Sequence, residues 1–295
     1  MALGGKFFIG GDGAFRAFTP DGVALEHEVV KDDSAERAIQ AVYGKGILLA
    51  LYGQGRDRRN FYRTTDGIEW TQAEAEFENW VQSIAFYDGK FLACAGKVIN
   101  RRHHPALVHS FDGIKWSKPQ KTPGTSVFRQ YAAGNDRLVA IGDAGEVSVS
   151  RDGIEWELAP DPDPRNTLLS IEFANGVFVG GGMHGLRLRS EDGLTWTHRV
   201  EGNEGEHINN MLFVGDRFHG IGLGGTYWSR DGVEWEYARN ENAPLQADAG
   251  TDRFLGAHWR GRILQSRDAL AWKEIAKLPQ HVAVVKFIPG NMRSL

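Results

Sequence analysis

Hydrophobic and polar residues alternate in short runs along the whole chain, and glycine-containing turns separate the runs. The segment 170–180 is typical: the runs Ser-Ile-Glu-Phe and Val-Phe-Val-Gly flank the dipeptide Asn175-Gly176. Residues 83–93 and 210–220 repeat this pattern. Alternation places every second side chain on one face of a strand, and a dipeptide of this type favours a two-residue hairpin turn. The chain is therefore predicted to form short antiparallel strands.

A second pattern, Ser/Thr-x-Asp-Gly-x-x-Trp, recurs along the chain. It occurs five times in full and twice in altered form, with Leu25 in place of the tryptophan and Ala269 in place of the glycine. The aspartates of these seven boxes are 37 to 46 residues apart: Asp21, Asp66, Asp112, Asp152, Asp192, Asp231 and Asp268. Glycine accepts the positive φ of a tight turn. The side chains of the aspartate and of the Ser or Thr can accept hydrogen bonds from the backbone amides of that turn. After each turn we expect a strand, with Ile154 and Trp156 facing inward in one example.

Four strands in about 40 residues is the size of one propeller blade. Seven boxes therefore predict an all-β fold, a seven-bladed β-propeller with four-stranded antiparallel blades. Residues 284–290 match the first strand of a unit and residues 6–10 match the second. We predict a single domain over residues 1–295, closed by the C-terminal strand, with blade 1 divided between about 1–30 and 282–295. When the repeats are aligned, Asp248 and Lys286 occupy equivalent positions in adjacent blades, and we expect them to form an ion pair.

The box resembles the Asp-box, or BNR, repeat of sialidases and related propellers. In that family one residue usually separates the aspartate from the glycine, and the tryptophan comes five positions after the aspartate. Here both spacings are shorter by one residue. The resemblance implies that the boxes lie between the third and fourth strands, on the face opposite the active site, and that their aspartates are structural. Seven boxes and the lack of a Phe/Tyr-Arg-Ile-Pro motif argue against a sialidase proper.

Composition and charge restrict the class of protein. The 295 residues are 41% hydrophobic and 24% charged, as in globular proteins. Lys plus Arg (34) nearly balance Asp plus Glu (38), which argues against a nucleic-acid partner. No apolar run is long enough for a membrane helix or a signal peptide, and Cys94 is the single cysteine. We expect a soluble, cytoplasmic protein with neither a nucleic-acid nor a membrane partner.

Ligands of propellers usually bind at loops near one end of the central channel, and loops commonly carry function. Two connections between second and third strands are longer than the others. They contain Arg56, Asp57, Arg58 and Arg59, and Arg101, Arg102, His103 and His104. Arginine suits bidentate recognition of carboxylate or phosphate, so we expect one anion-binding sector. The alternative is a pair of solvated loops whose charges are neutralised by neighbouring carboxylates such as Glu36 and Glu78.

Two sets of candidate site residues are expected at the channel mouth, on the loops that join one blade to the next and on those between second and third strands. The ligand-binding candidates are Arg37, Arg56, Arg58, Arg59, Trp80, Arg101, Arg102, His184, Trp259, Arg260 and His281. The two tryptophans are included because an aromatic ring in a loop can stack on a sugar or another ring. For an enzyme, the acid–base candidates are His103, His104, His207, His258, Tyr52, Glu206 and Asp57. No metal-binding motif is present, and neither a metal nor a cofactor is predicted.

Three hypotheses about function remain open at this point. The first is a binding propeller that holds a small anionic molecule, a glycan or a protein segment at the channel mouth formed by these two kinds of loop. The second is an enzyme on the same face, such as a glycan lyase or hydrolase. The third is an assembly factor, as in the seven-bladed Asp-box propellers that this chain resembles and that help assemble photosynthetic complexes.

Overall fold

The computed structural model describes residues 5–31, 34–55, 58–73, 80–99 and 102–289. Within these ranges the chain forms seven four-stranded antiparallel sheets, and helical structure is limited to three single turns of 3-10 helix. The fold is therefore the predicted seven-bladed β-propeller, with one sheet for each box. No helix in the described part of the chain is long and apolar enough to cross a membrane.

The strands of each blade are named A to D in the order of their hydrogen bonding, and only blade 1 takes its A strand from the other end of the chain. The strands of blades 1 to 3 are β1 (Lys6–Gly11), β2 (Arg16–Thr19), β3 (Glu26–Val29), β4 (Arg37–Gly44), β5 (Ile47–Gln54), β6 (Arg58–Thr64), β7 (Thr71–Ala73), β8 (Trp80–Tyr87), β9 (Lys90–Ile99), β10 (Arg102–Ser110) and β11 (Gln120–Lys121). Those of blades 4 and 5 are β12 (Gln130–Gly134), β13 (Arg137–Ile141), β14 (Val147–Ser150), β15 (Glu157–Leu158), β16 (Leu168–Ala174), β17 (Val177–Gly182), β18 (Arg187–Ser190) and β19 (Thr197–Val200). Those of blades 6 and 7 and the closing strand are β20 (Ile208–Val214), β21 (Arg217–Gly222), β22 (Gly225–Ser229), β23 (Glu236–Arg239), β24 (Gln246–Ala249), β25 (Phe254–His258), β26 (Arg262–Ser266), β27 (Lys273–Lys277) and β28 (Val282–Ile288).

Blade 1 is assembled from strands that are far apart in the sequence. β28 is antiparallel to β1, with Phe7 opposite Phe287, and β1 in turn pairs with β2. The predicted closure by the last strand is therefore confirmed, and it pairs both backbone edges of β1. The predicted ion pair is also present, with 3.0 Å between Lys286 Nζ and Asp248 Oδ2. The same carboxylate oxygen accepts a bond from the Phe287 amide at 2.8 Å.

The chain divides into two compact units. Unit one comprises Met1–Trp80, Ser110–Trp116 and Asn242–Leu295, and it holds blades 1, 2 and 7. Unit two comprises Val81–His109 and Ser117–Glu241, and it holds blades 3 to 6. Within each unit, apolar clusters fill the space between neighbouring blades. A single domain over all 295 residues stays a prediction.

The box turns form the same hydrogen bonds in all seven blades. In blade 2, the Thr64 hydroxyl accepts a bond from the Gly67 amide at 2.8 Å. Asp66 Oδ1 accepts bonds from the amides of Ile68 and Glu69 at 2.9 and 3.0 Å, and these bonds lower the pKa of Asp66. The other six boxes repeat the three bonds at 2.7–3.1 Å. The aspartates thus hold the turn together, as the resemblance implies.

The fourth strand of each blade begins later than the alternation predicts. In blade 4 the residues after Asp152 form a bend, and β15 begins only at Glu157, so the expected strand through Ile154 is wrong. The Ile154 amide is bonded to the Asp152 side chain instead of to a neighbouring strand. The apolar side chain at this position is exposed in other boxes, by 57% at Val23 and 46% at Ile68.

The described parts of the two long B–C connections are extended strands rather than loops. In blade 2 the ladder between β5 and β6 continues as far as Gln54 opposite Arg58. In blade 3, β9 runs to Ile99 and β10 starts at Arg102. The expected loops are therefore wrong for these residues, because main-chain pairing continues beyond the length found in the other blades. Arg59 and the segment 102–104 consequently lie on strands.

Candidate binding site

A shallow depression of about 510 Å³ in unit one collects charged side chains from blades 1 and 2. Asp12, which follows β1, and Arg37, which begins β4, form an ion pair with 2.7 Å between Oδ1 and Nε. Arg59 on β6 also lines the depression, and its Nη1 donates to Gly55 O at 2.9 Å. A Cβ at Gly53 would lie 2.6 Å from that Nη1 atom, so glycine there leaves room for the guanidinium. The volume is within the usual range for ligand sites, about 300–1,000 Å³.

A buried network fixes the connection that carries Arg37. Glu36, the preceding residue, is 7% exposed, and its carboxylate accepts bonds from Tyr62 OH at 2.7 Å and from the Asn60 side-chain amide. The guanidinium carbon of Arg16 lies 4.3 Å from the centroid of the Tyr62 ring. Burial raises the pKa of Tyr62, and the bond to Glu36 raises it further, so this phenol stays a proton donor. Glu36 therefore supports the site from below rather than lining it.

An exposed tryptophan is linked to the charged residues. Trp259 is 53% exposed, and its ring centroid lies 4.7 Å from that of His281. His281 O accepts a bond from the Asp12 amide at 2.9 Å, which connects this ring pair to the depression. Burial lowers the pKa of His281, Asp12 opposes the decrease and Arg37 adds to it. Burial also lowers the pKa of His258, so both imidazoles are neutral at pH 7.

These residues define the unit-one site: Asp12, Arg37, Arg59, Trp259 and His281. Four of its five members were sequence candidates, and Asp12 was missed. Asp12 is brought to Arg37 by an isolated antiparallel β-bridge between two segments that are distant in the sequence. The spacing of residues along the chain therefore could not indicate that Asp12 belongs to the site. The two arginines offer planar sets of N–H donors and Asp12 offers an acceptor, which together suit non-covalent binding of polar groups.

A second group of candidates meets in unit two. His207 Nδ1 accepts a bond from the His184 amide at 3.1 Å, and the two ring centroids are 5.1 Å apart. Glu206 accepts bonds from Tyr227 OH at 2.5 Å and from Tyr237 OH at 2.8 Å. Burial raises the pKa of Glu206, but the bonds from the two tyrosines outweigh burial and leave it below its ordinary value. The carboxylate is thus ionised at neutral pH, which favours a structural role over that of a general acid.

The remaining candidates are dispersed. Tyr52 on β5 is fully buried and donates to Phe15 O at 2.6 Å, and burial strongly raises its pKa, so its hydroxyl is held within the core. Arg260 is exposed in the turn after β25, and His104 is exposed on β10. Arg56, Asp57 and Arg101 lie outside the described residues, and Arg58, Trp80, Arg102 and His103 are described in their backbone alone. A single sector formed by the two basic segments stays a prediction.

Two buried arginines were missed by the sequence analysis. Arg187, the first residue of β18, is 5% exposed, and its guanidinium carbon lies 4.0 Å from the Tyr227 ring centroid and 5.3 Å from that of Trp235. Its Nη2 donates to Glu201 O at 3.2 Å. Arg16 occupies the same place in blade 1. Each of the two arginines is three residues before the Ser or Thr of a box. The other five boxes have an uncharged residue at this position, so the charge itself was the signal that could have identified the two arginines.

Metal ligands are not grouped in the described part of the chain. No three or more His, Cys, Asp or Glu side chains there are placed to hold a metal ion. Cys94 is buried, and burial raises the pKa of its thiol to about 12. This thiol is therefore protonated at neutral pH and enclosed in the core.

Comparison with known proteins identifies the fold. No protein-family model matches the chain, and no curated protein matches it either. Among solved structures, YCF48 from Cyanidioschyzon merolae is similar at 14% identity and a TM-score of 0.59, over 82% of this chain and 86% of that one. YCF48 bound to D1 peptide is similar at 18% identity and a TM-score of 0.57, over 87% of each chain. The designed protein Ika8 is similar at 12% identity and a TM-score of 0.51, over 83% of this chain and 87% of that one. At these identities the likeness shows a shared propeller fold and no more.

Proposed function

We propose that this propeller binds a segment of another protein, and that the unit-one site receives an extended stretch of that segment with an acidic side chain. The observation that carries the proposal is the exposed Trp259, whose ring packs against His281, the residue that is hydrogen-bonded to Asp12 of the charged depression. Buried aromatic and arginine anchors dominate the energy of protein interfaces, and tryptophan is the most enriched of them. A tryptophan that is half exposed before binding has this surface available for a partner.

The polar groups of the site suit an extended chain. Asp12 can accept an N–H of a bound backbone, and Arg37 and Arg59 can donate to its carbonyls or to a carboxylate. Gly13 and Gly55 contribute lining without side chains, and nothing lies within 4 Å of a Cβ built at Gly55, which allows a second backbone to come close there. YCF48 bound to D1 peptide has the same fold with a peptide as its ligand, and this supports a peptide here.

The resemblance of the boxes supports a finer assignment, which we include in the proposal. The Ser/Thr-x-Asp-Gly-x-x-Trp repeat and its hydrogen bonds suit a shortened member of the Asp-box propellers. In those proteins the boxes lie opposite the functional face. This assignment concerns ancestry, and the binding experiment below is independent of it.

A random dodecapeptide display library tests the binding proposal. Selection on the full-length chain is expected to enrich peptides with Asp or Glu, and a labelled selected peptide is then titrated by fluorescence anisotropy. Arg37→Gln/Arg59→Gln should remove the acidic preference, and Trp259→Ala should weaken binding about tenfold or more, as for anchor residues. Arg230→Gln is the matched control, because this arginine is 68% exposed and lies in unit two.

Two results would overturn the proposal. The first is a library that enriches no peptide, or peptides whose affinity is unchanged by the Arg37, Arg59 and Trp259 variants. The second is stabilisation of the wild type alone, in a thermal-shift screen, by uronic acids, sialic acid or sugar phosphates. Ligand at about 100 times its dissociation constant adds about 2.7 kcal/mol, which such a screen detects. That outcome would assign the depression to a small anion instead.

A further inference from the structure

A small cavity in unit two lies at the connection between blades 4 and 5. It encloses about 120 Å³ and is lined by Val147 of β14, Leu188 of β18 and Trp196, together with Asp161 and Asn166 of the connection. Val147 and Leu188 are buried, whereas Asp161 is exposed. The volume is well below the about 300–1,000 Å³ of small-molecule sites and equals roughly four water molecules. The cavity, called here the junction pocket, therefore has room for about one side chain.

The repeats identify the equivalent place at the next junction. Val147 and Arg187 are the first residues of β14 and β18, and they pair with Ile141 and Gly181, the equivalent residues of β13 and β17. The other lining residues have counterparts 39 or 40 residues later in the chain: Asp161 and Glu201, Asn166 and Glu206, Leu188 and Tyr227, Trp196 and Trp235. The junction of blades 5 and 6 therefore contains the same positions with other side chains.

At that junction the space is filled by the guanidinium of Arg187. As described above, this group contacts Tyr227, Trp235 and the Glu201 carbonyl, which are the counterparts of Leu188, Trp196 and Asp161. The chain thus places an arginine against the box tryptophan and the following connection, whereas the junction pocket has Val147 at the arginine position.

The same arrangement occurs independently in unit one. The guanidinium carbon of Arg16 lies 4.3 Å from the Tyr62 ring centroid and 5.1 Å from that of Trp70. Tyr62 and Trp70 are the blade 2 counterparts of Tyr227 and Trp235. Two junctions of this one chain therefore accept an arginine side chain in the position that is empty at the junction pocket.

Charges around the junction pocket favour a cation. Asp163 is neutralised by Arg165, whose Nε and Nη2 donate to its two oxygens at 2.7–3.1 Å. Arg199 is likewise paired with Glu201, with 2.5 Å between Nη2 and Oε1. Asp161 adds one further negative charge, and no ion pair to it is formed among the described residues.

We propose that the junction pocket binds an arginine side chain of a partner protein. The guanidinium lies against the Trp196 ring, as Arg187 and Arg16 lie against theirs, and it donates to the backbone carbonyl and carboxylate of Asp161. A cation against an aromatic face contributes most where water is displaced, and the buried walls of the pocket provide that environment. This inference does not rest on the proposed function, because all of its residues belong to unit two and none to the unit-one site.

The peptide acetyl-Gly-Arg-Gly-amide is the probe that tests the pocket. It is titrated into the isotope-labelled full-length chain, and the indole N–H signal of Trp196, assigned with Trp196→Phe, is followed by NMR. A saturable shift is expected, with binding about fivefold or more weaker when citrulline or norleucine replaces the arginine. No shift of the Trp196 signal would overturn the proposal. Equal binding of the norleucine peptide would also overturn it, because the pocket would then be an apolar site.

Matched variants separate the pocket from the rest of the surface. Asp161→Asn should weaken the arginine peptide about two- to fivefold, in line with an exposed charge pair. Glu234→Gln removes an exposed charge from the box turn of blade 6, also in unit two, and it should leave the affinity unchanged. Val147→Arg should fill the pocket from within and abolish the shift. Retained binding in a folded Val147→Arg variant would refute the assignment. If that variant does not fold, equal effects of Asp161→Asn and Glu234→Gln would refute it instead.

Discussion

Replacing Gly193 with alanine tests whether the box glycines are required for packing as well as for backbone conformation. Gly193 has a φ of 77°, and a Cβ there would lie 2.4 Å from Val139 Cγ2 and 3.0 Å from Val149 Cγ2. The left-handed conformation costs an alanine about 1–2 kcal/mol, overpacking costs about 1–3 kcal/mol, and restriction of the unfolded chain returns about 0.4–1 kcal/mol. We therefore expect the free energy of unfolding to fall by about 3 kcal/mol.

Gly176→Ala is the matched control for backbone strain alone. Gly176 has a φ of 78°, but nothing lies within 4 Å of a Cβ built there, so the expected loss is about 1 kcal/mol. Both variants are measured by urea unfolding followed by tryptophan fluorescence, after reversibility has been checked. The difference, about 2 kcal/mol, isolates the overlap with the two valines of blade 4. Equal losses would show that the packing argument is wrong and that only φ selects glycine in the boxes.

Three further predictions concern titratable groups. Lowering the pH from about 7 to about 5 should destabilise the fold. Burial keeps the pKa of His258 and His281 below the unfolded value of about 6.5, so on acidification the unfolded chain binds protons before the folded chain does. Urea unfolding at each pH should show a smaller loss for His258→Gln/His281→Gln, and an identical loss would contradict this cause. Burial raises the pKa of Cys94 to about 12, so a thiol reagent should react only after denaturation, and reaction with the native chain would disprove the burial. Burial and the bond to Glu206 raise the pKa of Tyr227 to about 12. Glu206→Gln should therefore lower the pKa of Tyr227, measured in an absorbance titration with Tyr227→Phe as the reference. An unchanged pKa would leave burial as its sole cause.

The fold was predictable because the local signals repeat. Each box specifies its own turn, and seven copies specify seven blades even where Ala269 or Leu25 departs from the pattern. The closing strand and the pair of Asp248 with Lys286 followed from aligning the repeats. The start of the fourth strand was not predictable from alternation, because the Asp152 side chain bonds the Ile154 amide and delays strand pairing.

The site was predictable only in part, because side-chain direction at strand ends depends on irregular pairing. The register between β4 and β5 shifts between Ala38 and Gln40, next to Arg37 and close to the ladder position of Tyr52. The sequence analysis chose Arg37 as a ligand-binding candidate and Tyr52 as an acid–base candidate, but only Arg37 lines the depression, whereas Tyr52 is buried. The junction pocket has no sequence motif of its own. It becomes visible only when Val147 is compared with the arginine at the equivalent position.

The pairing of β1 with β28 has a consequence for how the chain is made. Of these strands β1 leaves the ribosome first, but Phe7 finds its partner Phe287 only after about 280 further residues have been synthesised. During that time one edge of β1 is an unpaired template for other strands, at a stage when nascent chains are crowded. Such distant pairing also makes the final folding step slow. Blade 1 is therefore the part of the molecule whose completion would benefit most from a chaperone.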